Sequence, residues 1–253
     1  MPAIEVRNLV KKFKNTAAVD DISFSVEKGE CFGLLGPNGA GKTTTLNILC
    51  TLLKLTAGYA AVAGYDVTKY RNEVRQSLGI VFQEPALDSK LTGKENLEFH
   101  AMMYGIPPQV RDERIAVLLD LVELTEKANV LTRNYSGGMK RRLEIARGLI
   151  QRPKVLFLDE PTLGLDSQTR RLIWEYIKKM KKDQDVTIIL TTHYMEEADY
   201  LCDRIAIIDH GKIVVTGTPQ KLKEEAGVAS LEDVFLKYTG SAIRNIEERE
   251  KVW

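Results

Sequence analysis

The stretch Gly36-Pro37-Asn38-Gly39-Ala40-Gly41-Lys42-Thr43 constrains the fold of this chain more than any other. It matches the phosphate-binding pattern G-x-x-x-x-G-K-[ST] at every fixed position. Residues 31–35 predict a short buried strand before it, and the apolar spacing of residues 44–53 predicts a helix after it. A strand, a glycine-rich loop and a helix in this order cradle a phosphate, because glycines let several N–H groups point inward and the helix dipole adds positive charge.

Lys42 and Thr43 supply the side-chain chemistry of this loop. Lys42 is a point charge for β- and γ-phosphates, and the Thr43 hydroxyl suits Mg²⁺. The alternative is a glycine-rich turn beside an unrelated lysine, and the strand–loop–helix context argues against it. The loop therefore predicts a nucleoside triphosphate with magnesium as its ligand.

Composition limits the class of protein and its partners. The 253 residues carry a formal net charge of +1, which gives no indication of nucleic-acid binding. The cysteines, Cys31, Cys50 and Cys202, are odd in number and form no C-x-x-C pair, so neither a zinc site nor a disulfide framework is predicted. That usage fits a reducing cytoplasm. We find no secretory signal and no apolar run of about 20 residues, so work at a membrane would need another chain as the anchor.

Hydrophobic patterns divide the chain into parts. The first thirty or so residues alternate apolar and polar side chains and predict antiparallel strands, with another strand pair over 59–67. Residues 84–152 have helical periodicity and predict a helical lobe inserted into an α/β core. The core resumes with the apolar strand 155–158 and alternates strands and helices to about residue 215. Two short helices and a charged tail, 239–253, complete the prediction.

Two carboxylates, Asp159 and Glu160, end the predicted strand 155–158. Asp159 stands at the carboxyl end of a buried strand beside the loop strand, where magnesium is held directly or through water. Glu160 is directed differently and is interpreted as the group that polarises the attacking water. Buried acidic side chains are costly unless a metal or another partner compensates them, which favours a ligand site over an ordinary turn.

Ser136 is predicted to cap a helix with Leu143 and Ala146 on its apolar face. The adjacent glycines 137 and 138 make the start of this helix a second anion-binding surface. The basic run 140–142 on the same helix is interpreted as a solvated face and not as a nucleic-acid site. No nucleic-acid partner is expected.

Taken in order, these motifs resemble the ATP-binding cassette (ABC) ATPases over nearly the whole chain. Residues 36–43 resemble Walker A, residues 155–160 resemble Walker B with its catalytic glutamate, and residues 136–138 resemble the family's signature motif. The remaining matches rest on the resemblance alone: Gln83 with the Q-loop, residues 164–166 with the D-loop, His193 with the switch histidine and Phe13 with the aromatic residue that stacks on adenine.

The resemblance implies a fold, ligands and site residues. The expected fold is α/β, a P-loop NTPase core with an antiparallel β subdomain and an inserted helical subdomain, over residues 1–238. ATP and Mg²⁺ are the expected ligands. The expected catalytic residues are Glu160, His193, Lys42 and Gln83, and the expected magnesium ligands are Thr43, Gln83 and Asp159. The expected nucleotide contacts are Phe13, Gly36, Pro37, Asn38, Gly39, Ala40, Gly41, Lys42, Thr43, Thr44, Ser136, Gly137, Gly138 and Asp166.

Several residues depart from the general family pattern, and these departures indicate which subfamily the chain resembles. Tyr135 and Met139 stand where Leu and Gln are usual, and Phe13 stands where tyrosine is more usual. The phosphate-contacting residues of the signature motif are retained. Residues 135–146, together with 192–198 and 231–236, are similar to the ATPases of drug-resistance exporters of the daunorubicin type.

The resemblance also implies partners. Two copies, or one copy and a homologous ATPase, would meet head to tail, with each ATP between Walker A of one chain and the signature motif of the other. Integral membrane permease subunits would be separate chains, which puts this chain in the cytoplasm at the inner face of the cell membrane. Because residues 84–91 join the Q-loop to the helical lobe, the groove beside them is expected to receive a short permease helix.

Three functions are compatible with such an ATPase. The first is to power an exporter of a drug, lipid, ion or polysaccharide. The alternatives are a non-transport ABC ATPase and an importer subunit. A single cassette without sustained heptads argues against the translation and DNA-repair types, and the signature and residues 231–236 favour export by resemblance. A GTPase is disfavoured because no Asn-Lys-x-Asp motif is present.

Overall fold

The computed structural model describes residues 1–14, 16–84, 86–184 and 186–240. The elements in the first part of the chain are β1 (Ile4–Phe13), β2 (Thr16–Val26), β3 (Cys31–Leu35), α1 (Lys42–Leu49), β4 (Ala57–Val62), β5 (Tyr65–Asp66), α2 (Arg71–Ser77), β6 (Leu78–Val81) and α3 (Gly93–Met103). The remaining strands and α-helices are α4 (Pro108–Leu121), α5 (Gly137–Leu149), β7 (Val155–Asp159), α6 (Ser167–Gln184), β8 (Thr187–Thr192), α7 (Met195–Leu201), β9 (Arg204–Asp209), β10 (Lys212–Gly217), α8 (Pro219–Ala226) and α9 (Leu231–Thr239). Asn15, Pro85 of the segment 84–91, Asp185 and residues 241–253 of the predicted tail lie outside the described residues.

A six-stranded sheet in the order β10-β9-β3-β8-β7-β6 carries the core. Five of its strands run parallel, and β10 pairs antiparallel with β9 at one edge. Every residue of β3, β7 and β8 is buried, as expected for parallel strands that are covered on both faces. The carboxyl ends of the parallel strands consequently meet at one edge of the sheet.

A second, antiparallel sheet in the order β2-β1-β4-β5 covers one side of this core. Side chains of β1, β2, β4 and α1 share a buried cluster with one face of the parallel strands, and the rings of Phe24 and Phe32 stack at 5.3 Å between the two sheets. The predicted α/β class, with an antiparallel β subdomain, is confirmed.

Helices α3, α4 and α5 lie between β6 and β7 in the chain, where the sequence predicts the inserted lobe. Thr92 and Glu95 form a reciprocal capping box at the start of α3, and Pro108 begins α4. Leu97, Ile115 and other apolar residues of the lobe are buried in one cluster with the other face of the parallel sheet. Tyr104, which has the helical spacing to lie on one face with Leu97 and Ala101, is 42% exposed because α3 ends before it.

Helix α1 is shorter than predicted. The apolar pattern extends to Leu53, but the helix ends at Leu49, and Leu52 is exposed. Thr51 adopts the left-handed conformation at φ 63°, and its N–H donates to the Ile48 carbonyl while the Leu52 N–H donates to Asn47. These are the two hydrogen bonds of a Schellman motif, in which the left-handed residue after the helix is usually glycine and here is Thr51. Because Arg71 and Arg75 of α2 donate to Thr51, contacts from outside the helix stabilise this ending.

Candidate functional site

Strand register brings four predicted segments to one edge of the parallel sheet. Leu35 of β3 pairs with Thr192 of β8, so the phosphate loop and His193 follow neighbouring strands. Asp159 of β7 pairs with Thr191, which puts Glu160 in the same row. Val81 of β6 pairs with Leu158, so Gln83 follows on the far side of β7. Residues from four distant parts of the sequence thus meet where α/β proteins bind ligands.

The phosphate loop curls around the side chain of Lys42. This side chain is 4% exposed, and its Nζ donates hydrogen bonds to the carbonyls of Gly36 at 2.8 Å and Pro37 at 3.1 Å. Gly41, at φ 107°, precedes the first turn of α1, in which the N–H groups of Lys42, Thr43 and Thr44 have no partner within the helix. These donors and the positive end of the helix dipole make the loop an anion site. Ala40 is buried, whereas Asn38 and Gly39 are exposed on the loop's outer side.

We expect Gly36→Ala to destabilise the nucleotide-free protein more than Gly39→Ala. A Cβ at Gly36 would lie 2.1 Å from the Ile208 carbonyl oxygen, so main chain must shift, at about 2–3 kcal/mol. A Cβ at Gly39 meets nothing within 4 Å, and only its φ of +81° is unfavourable, at about 1–2 kcal/mol. Urea unfolding checks the order of the two free energies of unfolding. Equal losses would contradict the close approach at Gly36.

Asp159 forms a small oxygen cluster with two threonines. Its Oδ1 accepts hydrogen bonds from Thr191 Oγ1 at 2.5 Å and Thr43 Oγ1 at 3.3 Å. Burial raises the pKa of Asp159, the Thr191 hydrogen bond opposes that rise, and the charge of Glu160 adds to it. A carboxylate and a hydroxyl are hard oxygen donors, and Mg²⁺ commonly takes one or two protein carboxylates and completes its shell with water and phosphate. The pair therefore fits Mg²⁺ beside a triphosphate, and within the described ranges no cluster of three or more His, Cys, Asp or Glu residues offers a metal a fuller set of ligands.

Glu160 lies between two cationic or donor groups. Its Oε1 is 3.5 Å from Lys42 Nζ, and its Oε2 is 3.0 Å from His193 Nδ1. Burial alone would raise the pKa of Glu160, but the hydrogen bond with His193 and the charge of Lys42 outweigh it and lower that pKa. Burial lowers the pKa of Lys42, and Glu160 opposes this shift. The carboxylate is thus ionised at neutral pH, and the facing His193 nitrogen carries the proton because an ionised carboxylate only accepts.

Three predicted residues lie apart from this cluster in the chain's own contacts. Gln83 is exposed beyond the end of β6 and takes part in none of the hydrogen bonds described above. Phe13 ends β1 and is 46% exposed, with Lys11 Nζ 4.8 Å from its ring centre. Asp166 caps α6, since its carboxylate accepts from the N–H and hydroxyl of Thr169 at 2.9 Å and 2.7 Å. Their roles toward nucleotide stay predictions.

The signature residues begin α5 on the protein surface. Ser136 caps the helix, as predicted, because its Oγ accepts from the Met139 N–H at 3.2 Å. Ser136 and Gly137 are exposed, and Gly138 packs so closely on α6 that an added Cβ would lie 2.5 Å from Thr169 Cγ2. The helix start therefore offers free donors to a molecule outside this chain.

The interpretation of residues 140–142 as a solvated face is wrong for Arg141. Its side chain is buried, and its guanidinium donates to carbonyls that adjoin the site. Helical spacing was the sequence signal for this burial. Arg141 precedes Ile145 and Gly148 by four and seven residues, which puts it on the same helix face as these two buried residues. Sequence reasoning also missed Thr191, which hydrogen-bonds both Asp159 and the Glu160 N–H. The available signal there was a threonine directly after the apolar run 188–190, at the carboxyl end of a buried strand.

Comparison with known sequences adds three findings. The family model described as "ABC transporter" matches residues 19–163. The chain is 47% identical over 210 residues to the doxorubicin resistance ATP-binding protein DrrA of Mycobacterium tuberculosis, covering 83% of this chain and 63% of that protein. It is 43% identical over 221 residues to the Nod factor export ATP-binding protein I of Ralstonia nicotianae, covering 87% of this chain and 68% of that protein.

A solved structure matches the fold. This is the ATP-binding cassette MJ0796, a dimer in a post-hydrolysis state bound to ADP and Pi. The match has a TM-score of 0.75 and 27% identity and covers 85% of this chain and 98% of the other. The chain thus spans most of this cassette but only about two thirds of the length of its curated relatives. Within the described residues, no helix combines the length and the apolar character needed to cross a membrane.

Proposed function

The chain belongs to the ABC transporter family, and from this premise we propose that it binds and hydrolyses ATP to power a membrane exporter. One observation carries the proposal of hydrolysis. The buried Glu160 carboxylate is held between Lys42 and His193, beside the Asp159–Thr43 oxygens, at the common edge of the parallel strands. A phosphate cradle, a hard-cation site and an oriented base within one cluster fit metal-assisted phosphoryl transfer to water.

The phosphate loop would hold the triphosphate. The N–H groups that begin α1 would donate to phosphate oxygens, and Lys42 would exchange its bonds to the Gly36 and Pro37 carbonyls for bonds to the β- and γ-phosphates. Thr43 and Asp159 would hold Mg²⁺, which when bound neutralises charge on the β- and γ-oxygens. Phe13 would offer its exposed ring face to the adenine.

Glu160 and His193 would act on the attacking water. Glu160 is ionised and would accept a hydrogen bond from that water, orienting one of its lone pairs toward the γ-phosphorus. His193 uses Nδ1 toward Glu160, so Nε2 of the neutral ring would accept a hydrogen bond from the water, and only the doubly protonated ring would donate from Nε2 to the γ-phosphate. Gln83, which follows the strand next to β7, would reach the magnesium shell when the nucleotide is present.

A second copy would complete each site. The described contacts of Ser136, Gly137 and Gly138 are with residues such as Met139, Leu165 and Thr169, and none is with the chain's own phosphate loop. An exposed helix start that is rich in donors suits a γ-phosphate held by another copy. Release of phosphate would remove that contact and loosen the dimer.

Export is favoured over import and non-transport roles by the names of similar proteins, which include a doxorubicin resistance ATP-binding protein and a Nod factor export ATP-binding protein. The membrane part would be a separate permease that holds this chain at the inner face of the membrane. Its docking site would be the segment 84–91 and the adjoining face of α3, where Phe99, Met102 and Met103 are more than half exposed. The exposure of three large apolar side chains on one helix surface supports this proposal, because such patches are typical of interaction sites.

The experiment combines ATPase activity with membrane recruitment. We expect the purified chain to hydrolyse ATP only with Mg²⁺, and the chain in its native cells to sediment with membranes. The double variant Phe99→Asp and Met103→Asp should release most of it, because charge is excluded from an apolar contact. Val117→Asp, on the exposed face of α4, is the matched control and should stay with membranes. Retention of the double variant would contradict the docking site, and co-purification of the chain with ribosomes or DNA-repair proteins would contradict the exporter.

A further inference from the structure

Arg141 of α5 joins three parts of the candidate site from inside the protein. We propose that Arg141 is a positioning residue that holds the turn carrying Glu160, together with the end of β6, in the geometry that hydrolysis needs. This inference rests on the proposed role of Glu160.

The guanidinium contacts main chain from two strands. Its Nε donates to the Pro161 carbonyl at 2.6 Å, and its Nη2 donates to the Asp159 and Glu160 carbonyls at 3.0 Å each. Its Nη1 donates to the Phe82 carbonyl at 2.5 Å, directly before Gln83. One side chain therefore binds three successive carbonyls of the catalytic turn and one carbonyl of the neighbouring strand end.

The buried charge points to a role in geometry. Arg141 is 6% exposed, and none of these four acceptors is a carboxylate. Burial lowers the pKa of Arg141, and the charges of Glu144, Glu197 and Asp159 oppose that shift. A buried charge is costly, and an apolar side chain of similar volume commonly serves stability as well or better. What an apolar residue lacks is the planar fork that fixes several acceptors at once.

The turn at Glu160 is one that needs support. Glu160 has a φ of 47°, in the left-handed region that is unfavourable for a residue with a long side chain. The surrounding structure must over-determine such a conformation. Arg141 donates to the Glu160 carbonyl, and the Glu160 N–H donates to the Oγ1 and the carbonyl of Thr191. Together these bonds hold the peptide groups on both sides of the Glu160 Cα. Without Arg141 the turn can relax, and the carboxylate then moves relative to Lys42 and His193.

The same helix holds the Gln83 segment at a second place. Glu144 is fully buried, and its Oε1 accepts from the Ala86 N–H at 2.8 Å, while Arg147 donates to the Ala86 carbonyl at 2.7 Å. Helix α5 begins with the signature residues at Ser136. It therefore joins the surface that would meet the other copy's ATP to the catalytic turn of its own site.

The test compares two neighbouring arginines of α5. Arg142 also donates to a main-chain carbonyl, that of Val122 at 3.0 Å, but this carbonyl belongs to the helical lobe. We expect Arg141→Met to lower kcat for ATP by about 10- to 100-fold with KM changed less than about twofold, because displaced catalytic groups cost rate and the phosphate loop is untouched. Arg142→Met should keep kcat within about twofold. Thermal unfolding of both variants reports any loss of stability separately.

Arg141→Lys provides a variant that keeps the charge if Arg141→Met does not fold. We expect it to recover only part of kcat, since an ammonium group cannot span four carbonyls. Full recovery by Arg141→Lys, or equal kcat losses in Arg141→Met and Arg142→Met, would overturn the inference. Glu160→Gln is assayed in parallel: if that variant still hydrolyses ATP, the proposed role of Glu160 fails. If hydrolysis is lost in Glu160→Gln but kept in Arg141→Met, only the role of Arg141 fails.

Discussion

Glu160→Gln should bind ATP and lose hydrolysis by about 100-fold or more, the range expected when a catalytic base is removed. The amide has nearly the shape of the carboxylate, so the packing between Lys42 and His193 is kept. It cannot act as an anionic acceptor for the attacking water, and the γ-phosphate then stays in place. Phosphate release measures the rate, and size-exclusion chromatography with ATP and Mg²⁺ should detect a persistent dimer.

The matched control for this variant is Glu196→Gln. Glu196 is exposed in the first turn of α7, near the site in sequence but without a contact to Lys42 among those described. It should leave both hydrolysis and the monomer–dimer equilibrium unchanged. A Glu160→Gln protein that remained monomeric with ATP would argue against the head-to-tail dimer, and one that hydrolysed ATP normally would argue against Glu160 as the base.

Lys42→Ala should weaken the affinity for ATP by about 30-fold or more, because two charge-assisted hydrogen bonds to phosphate oxygens are lost, at roughly 2 kcal/mol or more in all. The loss comes from the phosphate contacts, since within the described part of the chain the hydrogen bonds and ion pair of the Lys42 ammonium are to carbonyls of its own loop and to the Glu160 carboxylate. Equilibrium binding of a fluorescent ATP analogue, displaced by unlabelled ATP, measures the change.

AMP is the control ligand for Lys42→Ala, because it lacks the β- and γ-phosphates that Lys42 would contact. Its weak affinity should be the same in both proteins. An equal loss for AMP and ATP would mean that the substitution distorts the loop, since Lys42 is also bonded to its carbonyls. Unchanged ATP affinity would contradict the role of Lys42 in phosphate binding.

The two variants separate binding from chemistry. Lys42→Ala should bind too little ATP to form the dimer, whereas Glu160→Gln should form the ATP-bound dimer but not hydrolyse the ATP. Lys42 and Glu160 form one ion pair in the free protein, so the effects of the two substitutions on the free energy of unfolding are coupled. Their effects on ATP binding and hydrolysis need not be coupled. Measuring the free energy of unfolding of both variants without nucleotide distinguishes the two contributions.

Residues of the candidate site could be predicted where they belong to short sequence patterns. The phosphate loop is contiguous, and its pattern requires no knowledge of the rest of the fold. Asp159 was found because it ends an apolar strand, and carboxyl ends of parallel strands meet at one edge. His193, Gln83, Phe13 and Asp166 were proposed from the resemblance, and their roles toward nucleotide stay predictions.

Sequence alone thus determined the order of the elements, the α/β class, and the phosphate loop and acidic strand end at that edge, because strand and helix periods and short motifs are readable over a few residues. Only the tertiary structure decided which charges are buried and what satisfies them. Arg141 looked solvated in a basic run, yet it lies inside because carbonyls from residues 82 and 159–161 converge on it. Likewise, Thr51 ends α1 without a glycine because side chains of α2 bind it. Both outcomes depend on partners more than 15 residues away in sequence, and no local pattern encodes such partners.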